Sequence, residues 1–406
     1  MPRVGVLAPA SSGLPELVWE AGGEPVPLVL PGTRLTGVVL RREWLADWAQ
    51  ISAGAEDLDA LLVDAAEPDG LAGLLTAALR LDLPVVVASP LTEPFSVALT
   101  ALGFAPLGEN PAEVAVATAR SRSPRSRELV ESFSLANALR AGLSSGAGPE
   151  LIVHLAAIAR EAGVTGFPQM SRVLTSESPE IAGSDSLWFR AHGAAGLFAH
   201  LGTTLHDTAT VAGRLKQALP PTPPPPGEKE NSRLVFVRGR TSGTEVLCRG
   251  DGVAEEISGL CRVYASEEAA IWAVSGGRVG PSDLLVVGGC GPRGGPGLLR
   301  LDHLTSTLNE VGLVVPVLTD GLSPDDVTGT WASLATPEAA AGGVIGRLRD
   351  GDLLRLDLME GLIRTGVRAE EFGRREPFAA SGPSGFDYVA RYARSALSAL
   401  EGAGFG

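Results

Sequence analysis

Three groups of residues in this chain have types and spacings that could do chemistry. One is the glycine-rich run Gly291–Gly297, GPRGGPG, which contains Arg293, Gly294 and Gly295. Consecutive glycines let several backbone N–H groups converge on one anion, and Arg293 would add a positive charge. The run could therefore bind a carboxylate or a phosphate. The alternative interpretation is that the glycines serve only a tight turn.

The other two groups are carboxylate-rich. Glu67 and Asp69 precede a predicted helix, where they could act as general acid and base or hold a hard cation such as Mg²⁺. Two acidic residues at a helix start are also stabilised by the helix dipole without any function. Asp320, Ser323 and Asp325 share one loop and could be acid–base groups, or they could form an Asx turn and a helix cap.

Cysteine and histidine offer little for a metal site. The three cysteines, Cys248, Cys261 and Cys290, do not form a Cys-x-x-Cys or Cys/His pair with metal spacing, and the chain has five histidines. We expect buried thiols and no dedicated metal centre. The sequence therefore predicts neither a zinc site nor a redox motif.

Composition narrows the function classes further. The chain has 406 residues, 45% of them hydrophobic, which is enough for two or three domains with buried cores. Its net charge is −14 and its cations are scattered, so nucleic acid is a poor partner. An apolar run of membrane-spanning length and a signal-like N-terminus are both absent from the pattern, so we expect a cytoplasmic protein that does not contact membranes.

A proline-rich segment divides the chain. Residues 218–232, ALPPTPPPPGEKENS, favour an extended spacer because proline fits neither helix interiors nor central strands. They separate a domain at residues 1–217 from a domain at 233–406. In the first, strands are predicted at Arg3–Leu7, Leu61–Val63 and Pro84–Ala88, with a helix at Gly70–Leu81. Strand–helix–strand order predicts a parallel sheet, followed by a helical region from residue 127 onward.

The second domain has a different pattern of short apolar runs between turn residues, which is typical of a barrel or sandwich. A helix is predicted at Glu267–Val274 and a last one at about Phe386–Leu400. The predicted strands are Leu234–Arg238, Glu245–Cys248, Arg262–Tyr264, Asp283–Val287, Val314–Leu318, Val344–Leu348 and Leu353–Leu358. The fold class is thus α/β, an N-terminal α/β domain plus a C-terminal β-barrel-like domain.

Several ordered blocks resemble the dihydroxy-acid dehydratase / 6-phosphogluconate dehydratase family. They include GPRGGPG, VLTDG at residues 317–321, TPEAAAGG at 336–343, HLAAIAREAGV at 154–164 and HGAAG at 192–196. The resemblance covers nearly the whole chain, with a shortened N-terminal part. It implies a swivelling C-terminal barrel, an active site between the domains and a homodimer. By position it also implies substrate-binding roles for Asp320 and His192.

The chain departs from the family pattern at each catalytic group. The family's reaction uses a cluster iron, a magnesium ion and a serine alkoxide, whereas this chain has no cysteine before Cys248 to supply the cluster thiolates. Arg300 stands where the family has a metal-ligating glutamate. Pro324 stands where it has the serine base, with Ser323 one residue away. An iron–sulfur cluster is therefore not expected.

These observations favour a repurposed, cofactor-independent enzyme that dehydrates, isomerises or cyclises a small acidic molecule, a lyase-like step suited to specialised biosynthesis. The predicted catalytic residues are Glu67, Asp69, Ser323 and Asp325, and the predicted substrate-binding residues are Arg293, Gly294, Gly295, Asp320 and His192. The alternative is a non-catalytic pseudoenzyme that binds a small molecule or a partner subunit. A third interpretation is a dehydratase with Mg²⁺ at Glu67 and Asp69.

Overall fold

The structure is a computed structural model. It describes residues 1–89, 93–217, 219–225, 234–239, 243–249, 256–295, 297–325, 327, 329–378 and 385–406. The chain forms two compact units. The α/β unit comprises Met1–Arg34, Arg41–Ala147 and His154–Glu230, and the barrel unit comprises Leu35–Leu40, Gly148–Val153 and Asn231–Gly406. The predicted spacer at 218–232 lies largely outside the described residues.

A four-stranded parallel sheet forms the centre of the α/β unit. Its strands β1 Arg3–Ala8, β2 Glu24–Val29, β3 Ala60–Val63 and β4 Val85–Val87 lie in the order β2-β1-β3-β4. The predicted parallel sheet is confirmed, but β2 was not predicted. Its Pro25 and Pro27 argue against a central strand, and the structure places them at the sheet edge, where proline is tolerated.

Ten helices and one small hairpin complete the described part of the α/β unit; the first residues of α2 and α8 are counted with the barrel unit. The helices are α1 Leu14–Glu20, α2 Val38–Gly54, α3 Pro68–Leu81, α4 Pro94–Leu102, α5 Pro111–Ser121, α6 Ser126–Leu129, α7 Ser132–Ser144, α8 Pro149–Glu161, α9 Phe167–Glu177 and α10 Leu187–Leu201. The hairpin pairs β5 Ala209–Thr210 with β6 Gly213–Arg214. This agrees with the predicted helical region after residue 127.

The barrel unit is a closed barrel of eight strands. They are β7 Leu234–Gly239, β8 Glu245–Arg249, β9 Glu256–Tyr264, β10 Asp283–Val287, β11 Val317–Thr319, β12 Trp331–Thr336, β13 Leu353–Asp357 and β14 Leu362–Thr365, in the order β10-β11-β12-β8-β7-β14-β13-β9. Closure leaves no unpaired strand edge. The described helices are α11 Glu267–Ser275, α12 Asp302–Glu310, α13 Ala369–Arg374 and α14 Tyr388–Ser395.

The barrel prediction is confirmed, with local corrections. The predicted strand at Val344–Leu348 is wrong, because Val344–Arg347 form a 3₁₀ turn. A short apolar run cannot be told from a buried turn by periodicity alone. Strand β12 was missed because its sequence WASLAT is rich in alanine and serine, yet five of its six residues are buried. The last helix ends at Ser395, before the predicted Leu400.

Two hydrophobic clusters sandwich the parallel strand β10. Leu284 and Val286 belong to one cluster with side chains from β7, β8, β9 and β13, whereas Leu285 and Val287 belong to another that includes α11 and α12. Because side chains alternate along a strand, β10 is buried on both faces. The loop that follows β10 therefore starts from a fixed position. None of the helices in the described ranges combines the length and apolarity needed to cross a membrane.

Candidate functional site

The glycine-rich loop follows β10, and its backbone amides already hold an anion from the same chain. The N–H groups of Arg293 and Gly294 both donate to the Glu338 carboxylate at 3.0 Å. A Cβ on Gly291 would lie 2.5 Å from Oε2 of Glu338, so only glycine leaves room for this carboxylate. Glu338 of the same chain therefore occupies these two amides, and binding of an external anion by this loop stays a prediction.

The remaining groups of the loop are also engaged. A Cβ on Gly295 would lie 2.6 Å from Cα of Cys290, and the Gly295 N–H donates to the Gly291 carbonyl at 2.9 Å. Arg293 is exposed, and its Nε donates to the Ala396 carbonyl at 3.1 Å. Gly294 and Gly295 thus have structural roles, because their N–H groups bond within the chain. Their role in substrate binding stays a prediction. Glu338 was not predicted as a site residue; its position beside the loop follows only from the closure of the barrel.

Asp320 holds the backbone just before the glycine-rich loop and just after Glu338. It is fully buried, and its carboxylate accepts N–H bonds from Gly289 at 3.1 Å, Cys290 at 2.8 Å and Ala339 at 2.9 Å. Burial raises the pKa of Asp320, and these bonds offset only part of that rise. Burial likewise raises the pKa of Glu338 despite its amide donors. Both carboxylates therefore fix loop backbone from inside the barrel unit.

The loop after β11 contains a buried hydroxyl. Ser323 is 1% exposed, and within the described ranges its Oγ has no hydrogen-bond partner. Its backbone N–H donates to Oγ of Ser333 at 3.2 Å. Asp325 is exposed, and its carboxylate lies so close to Gly148 that a side chain there would collide with it. Ser323 is therefore buried, whereas Asp325 is exposed to solvent.

Arg300, which stands where the family has a metal-ligating glutamate, forms ion pairs with two carboxylates. Arg300 donates through Nη1 to the Glu150 carboxylate at 3.1 Å and through Nε to Asp302 at 3.1 Å. Glu150 is 7% exposed. Burial lowers the pKa of Arg300, but its two carboxylate partners outweigh burial and hold that pKa above its usual range. A guanidinium thus supplies positive charge beside Glu150.

The two acidic residues before α3 have different environments. Asp69 is 3% exposed, and its Oδ2 accepts a bond from Nε of Arg41 at 2.6 Å. Glu67 is exposed and occupies the N-cap position of α3, where its side chain makes no capping hydrogen bond. Among the predicted pair, one carboxylate is therefore buried and ion-paired, and the other faces solvent.

His192 lies in α10 of the α/β unit, next to a break in that helix at Gly193, whose φ is 59°. Its ring packs against Trp188 with 5.0 Å between ring centroids. A different histidine, His154, is fully buried, with its Nδ1 3.3 Å from Nη1 of Arg42. The substrate-binding role of His192 stays a prediction, and the contact observed for His192 is aromatic packing against Trp188.

The three thiols do not fit an iron–sulfur cluster. Cys248 and Cys261 belong to one hydrophobic cluster of the barrel unit and Cys290 to the other. Burial raises the pKa of all three, that of Cys261 to about 12. Cluster iron needs thiolates, which this environment disfavours. The described residues also contain no group of three or more histidine, cysteine or acidic side chains placed to hold a metal ion.

The fold defines an α/β protein in which one unit contains a parallel sheet and the other a closed barrel. Carboxylates of the barrel unit fix its glycine-rich loop. Comparison with known proteins then gives the family. Residues 229–403 match the family described as dihydroxy-acid/6-phosphogluconate dehydratase C-terminal. The chain is 31% identical over 304 residues to a dihydroxy-acid dehydratase of Geobacter metallireducens, covering 68% of this chain and 54% of that protein.

Other relatives agree. A dihydroxy-acid dehydratase 2 of Bordetella bronchiseptica is 33% identical over 276 residues, covering 62% of this chain and 48% of the relative. One from Clostridium botulinum is 27% identical over 311 residues, covering 68% and 55%. The chain spans about half the length of the curated relatives it matches. It belongs to the dihydroxy-acid/6-phosphogluconate dehydratase family, and the predicted resemblance is confirmed.

Proposed function

We propose that this chain is a dehydratase-family protein that works without an iron–sulfur cluster and holds a small acidic molecule without dehydrating it. The observation that carries the proposal is the placement of the thiols. The sequence has no cysteine in residues 1–247, and all three cysteines lie in the cores of the barrel unit. A cluster would have to be held by thiols whose burial disfavours the thiolate.

The charged groups support the non-catalytic form of this proposal. Asp69 is paired with Arg41, and Glu150 is paired with Arg300. An acid–base role requires contact with the substrate, and a carboxylate engaged by a guanidinium must first give up that ion pair. The Arg41 guanidinium also competes with the magnesium ion considered for Glu67 and Asp69. The scaffold is retained, while the carboxylates of Asp69 and Glu150 are committed to ion pairs within the chain.

Iron analysis tests the absence of a cluster. The protein is purified anaerobically, incubated with ferrous iron, sulfide and a thiol reductant, desalted, and measured for iron, sulfide and visible absorption. We expect no stoichiometric iron or sulfide and no charge-transfer band. A variant with Cys248→Ala, Cys261→Ala and Cys290→Ala is the matched control. Stoichiometric iron and sulfide that disappear in this variant would refute the proposal.

A second candidate function, a cofactor-independent enzyme, is favoured by Ser323. Its hydroxyl is buried and without a partner among the described residues, so a bound substrate could satisfy it. The assay is keto-acid formation from a panel of small 2,3-dihydroxy acids by iron-free protein, compared with Ser323→Ala. Turnover by the parent protein that the substitution abolishes would establish the enzyme. Equal background for both proteins would leave the binding function.

A further inference from the structure

A cavity of about 180 Å³ lies in the α/β unit, and none of the predicted site residues lines it. The C-terminal half of α7 lines one side, with Arg140 and Ser144. The rest is lined by Glu177 at the end of α9, by the chain that follows with Ile181, and by the end of α10 with Leu201. Cavities for drug-sized ligands are usually larger, about 300–1,000 Å³, so this one suits a ligand of a few heavy atoms.

Two buried donors at this cavity have no partner. Ser144 is 0% exposed, and within the described ranges neither its Oγ nor Nη1 of Arg140 makes a hydrogen bond. The two residues are four positions apart on one helix, so their side chains share a face. Buried polar atoms are nearly always bonded, and leaving such atoms unpaired is unfavourable. An acceptor from outside the chain would satisfy both.

The remaining lining indicates the kind of acceptor. Ile181 and Leu201 offer apolar surface, which suits a short hydrocarbon part. Glu177 brings one negative charge to the same cavity, which offsets the charge of Arg140 and opposes ligands with more than one negative charge. A guanidinium binds carboxylates well because its N–H groups match the two oxygens.

We propose that this cavity is a binding site for a small monovalent carboxylate, with Arg140 and Ser144 as its donors. The proposal rests on the proposed function in one respect, that the ligand is an acid. It assigns the acid to a cavity of the α/β unit that none of the predicted site residues lines. If the carboxylate site is wrong, the ligand-binding measurement will show it. If the cluster-free proposal is wrong, the iron content will show it.

The test uses the full chain with sodium acetate as the probe. Acetate binding is measured by saturation-transfer NMR and by the shift in thermal unfolding. Sodium chloride at matched ionic strength is the blank, and inorganic phosphate is the divalent comparison. We expect saturable acetate binding, and Arg140→Met and Ser144→Ala should each weaken it by about tenfold or more. Arg190→Met is the matched control, since Arg190 is an exposed residue of α10 that does not line the cavity.

Two further readouts separate binding from stability. Without ligand, Ser144→Ala should leave the melting temperature unchanged or raise it, because the variant loses an unpaired buried hydroxyl. Glu177→Gln should bring phosphate binding closer to acetate binding. The proposal is overturned by an absence of saturable acetate binding, by phosphate binding as tightly as acetate in the parent protein, or by equal acetate affinity in Arg140→Met and Arg190→Met.

Discussion

Glu43 of the α/β unit and Glu338 of the barrel unit are buried carboxylates that are held in opposite ways. In the α/β unit, Glu43 is 1% exposed and accepts from Arg42 at 2.8 Å, with Arg80 3.6 Å away. Glu338 of the barrel unit accepts instead from backbone N–H groups, as does Asp320. One carboxylate is held by cationic side chains, and the others are held by loop amides.

The difference has an electrostatic consequence. Burial alone raises the pKa of Glu43, but Arg42 and the more distant Arg80 and Arg160 outweigh burial, so the pKa of Glu43 falls below its ordinary value. Amide dipoles do not carry a full charge, and the pKa of Glu338 stays raised. Glu43 thus depends on side-chain charge, whereas Asp320 and Glu338 organise the backbone of the barrel unit. An acid buried near an expected active site can therefore be a structural group.

The largest effect is expected from breaking the side-chain pairing. Glu43→Gln leaves the fully buried Arg42 without its carboxylate. Removing one partner of a buried ion pair usually costs about 3–5 kcal/mol. Urea denaturation followed by circular dichroism should show a loss of that size in the free energy of unfolding. Glu20→Gln, at an exposed position of α1, is the control and should change little. A loss below about 1 kcal/mol for Glu43→Gln would mean that Arg42 has other support.

A smaller loss is expected where amides hold the carboxylate. Glu338→Ala leaves the N–H groups of Arg293 and Gly294 without their acceptor. An unsatisfied buried donor costs about 1–3 kcal/mol, and water can reach part of this loop because Arg293 is exposed. We expect a loss of about 2 kcal/mol by the same measurement. The exposed Glu310→Ala of α12 serves as control. If Glu338→Ala cost more than Glu43→Gln, the ranking of side-chain over amide pairing would be reversed.

The pH dependence should have opposite signs for Glu43 and Glu338. A lowered pKa gives Glu43 a stabilising contribution above its ordinary value of 4.5, and this contribution is lost as pH falls below it. A raised pKa gives Glu338 the reverse: its contribution is present below 4.5 and is lost as pH rises through the raised value. The stability difference from parent should therefore shrink toward acid pH for Glu43→Gln and toward neutral pH for Glu338→Gln. Melting temperatures measured from well below pH 4.5, the ordinary pKa of glutamate, up to neutral pH would check this, and parallel trends would contradict it.

Much of the fold was accessible from sequence because local patterns agreed with tertiary structure. The runs that became β1, β3, β4 and β10 are short, apolar and bounded by turn residues. Elements whose local signal conflicts with their environment were missed. The prolines of β2 are tolerated only at a sheet edge, and the small residues of β12 pair as a strand because the barrel buries them. Such contexts arise from long-range contacts that periodicity does not contain.

The candidate site was less accessible for the same reason. The sequence identified the glycine loop and Asp320, and the structure shows both in one hydrogen-bond network. It did not identify Glu338, which is more than forty positions away from the amides that it accepts from. Nor could it show that Arg300 and Glu150, separated by 150 positions, form an ion pair. Pairing of distant charges is set by chain topology, so residue types alone leave the partner open.

The smallest expected effect isolates burial as the cause of the contrast. Arg122 bonds to Asp59 at 2.6 Å, as short as the pair of Arg41 with the buried Asp69, but its side chain is 73% exposed. Exposed ion pairs contribute about 0–1 kcal/mol because water screens them and ordering two side chains costs entropy. Arg122→Gln should therefore lower the free energy of unfolding by no more than about 1 kcal/mol, and by less in high salt. Asp59 keeps its backbone bond from Arg3 in this variant. A loss approaching that of Glu43→Gln would show that short distance, and not burial, decides how strongly this protein depends on its ion pairs.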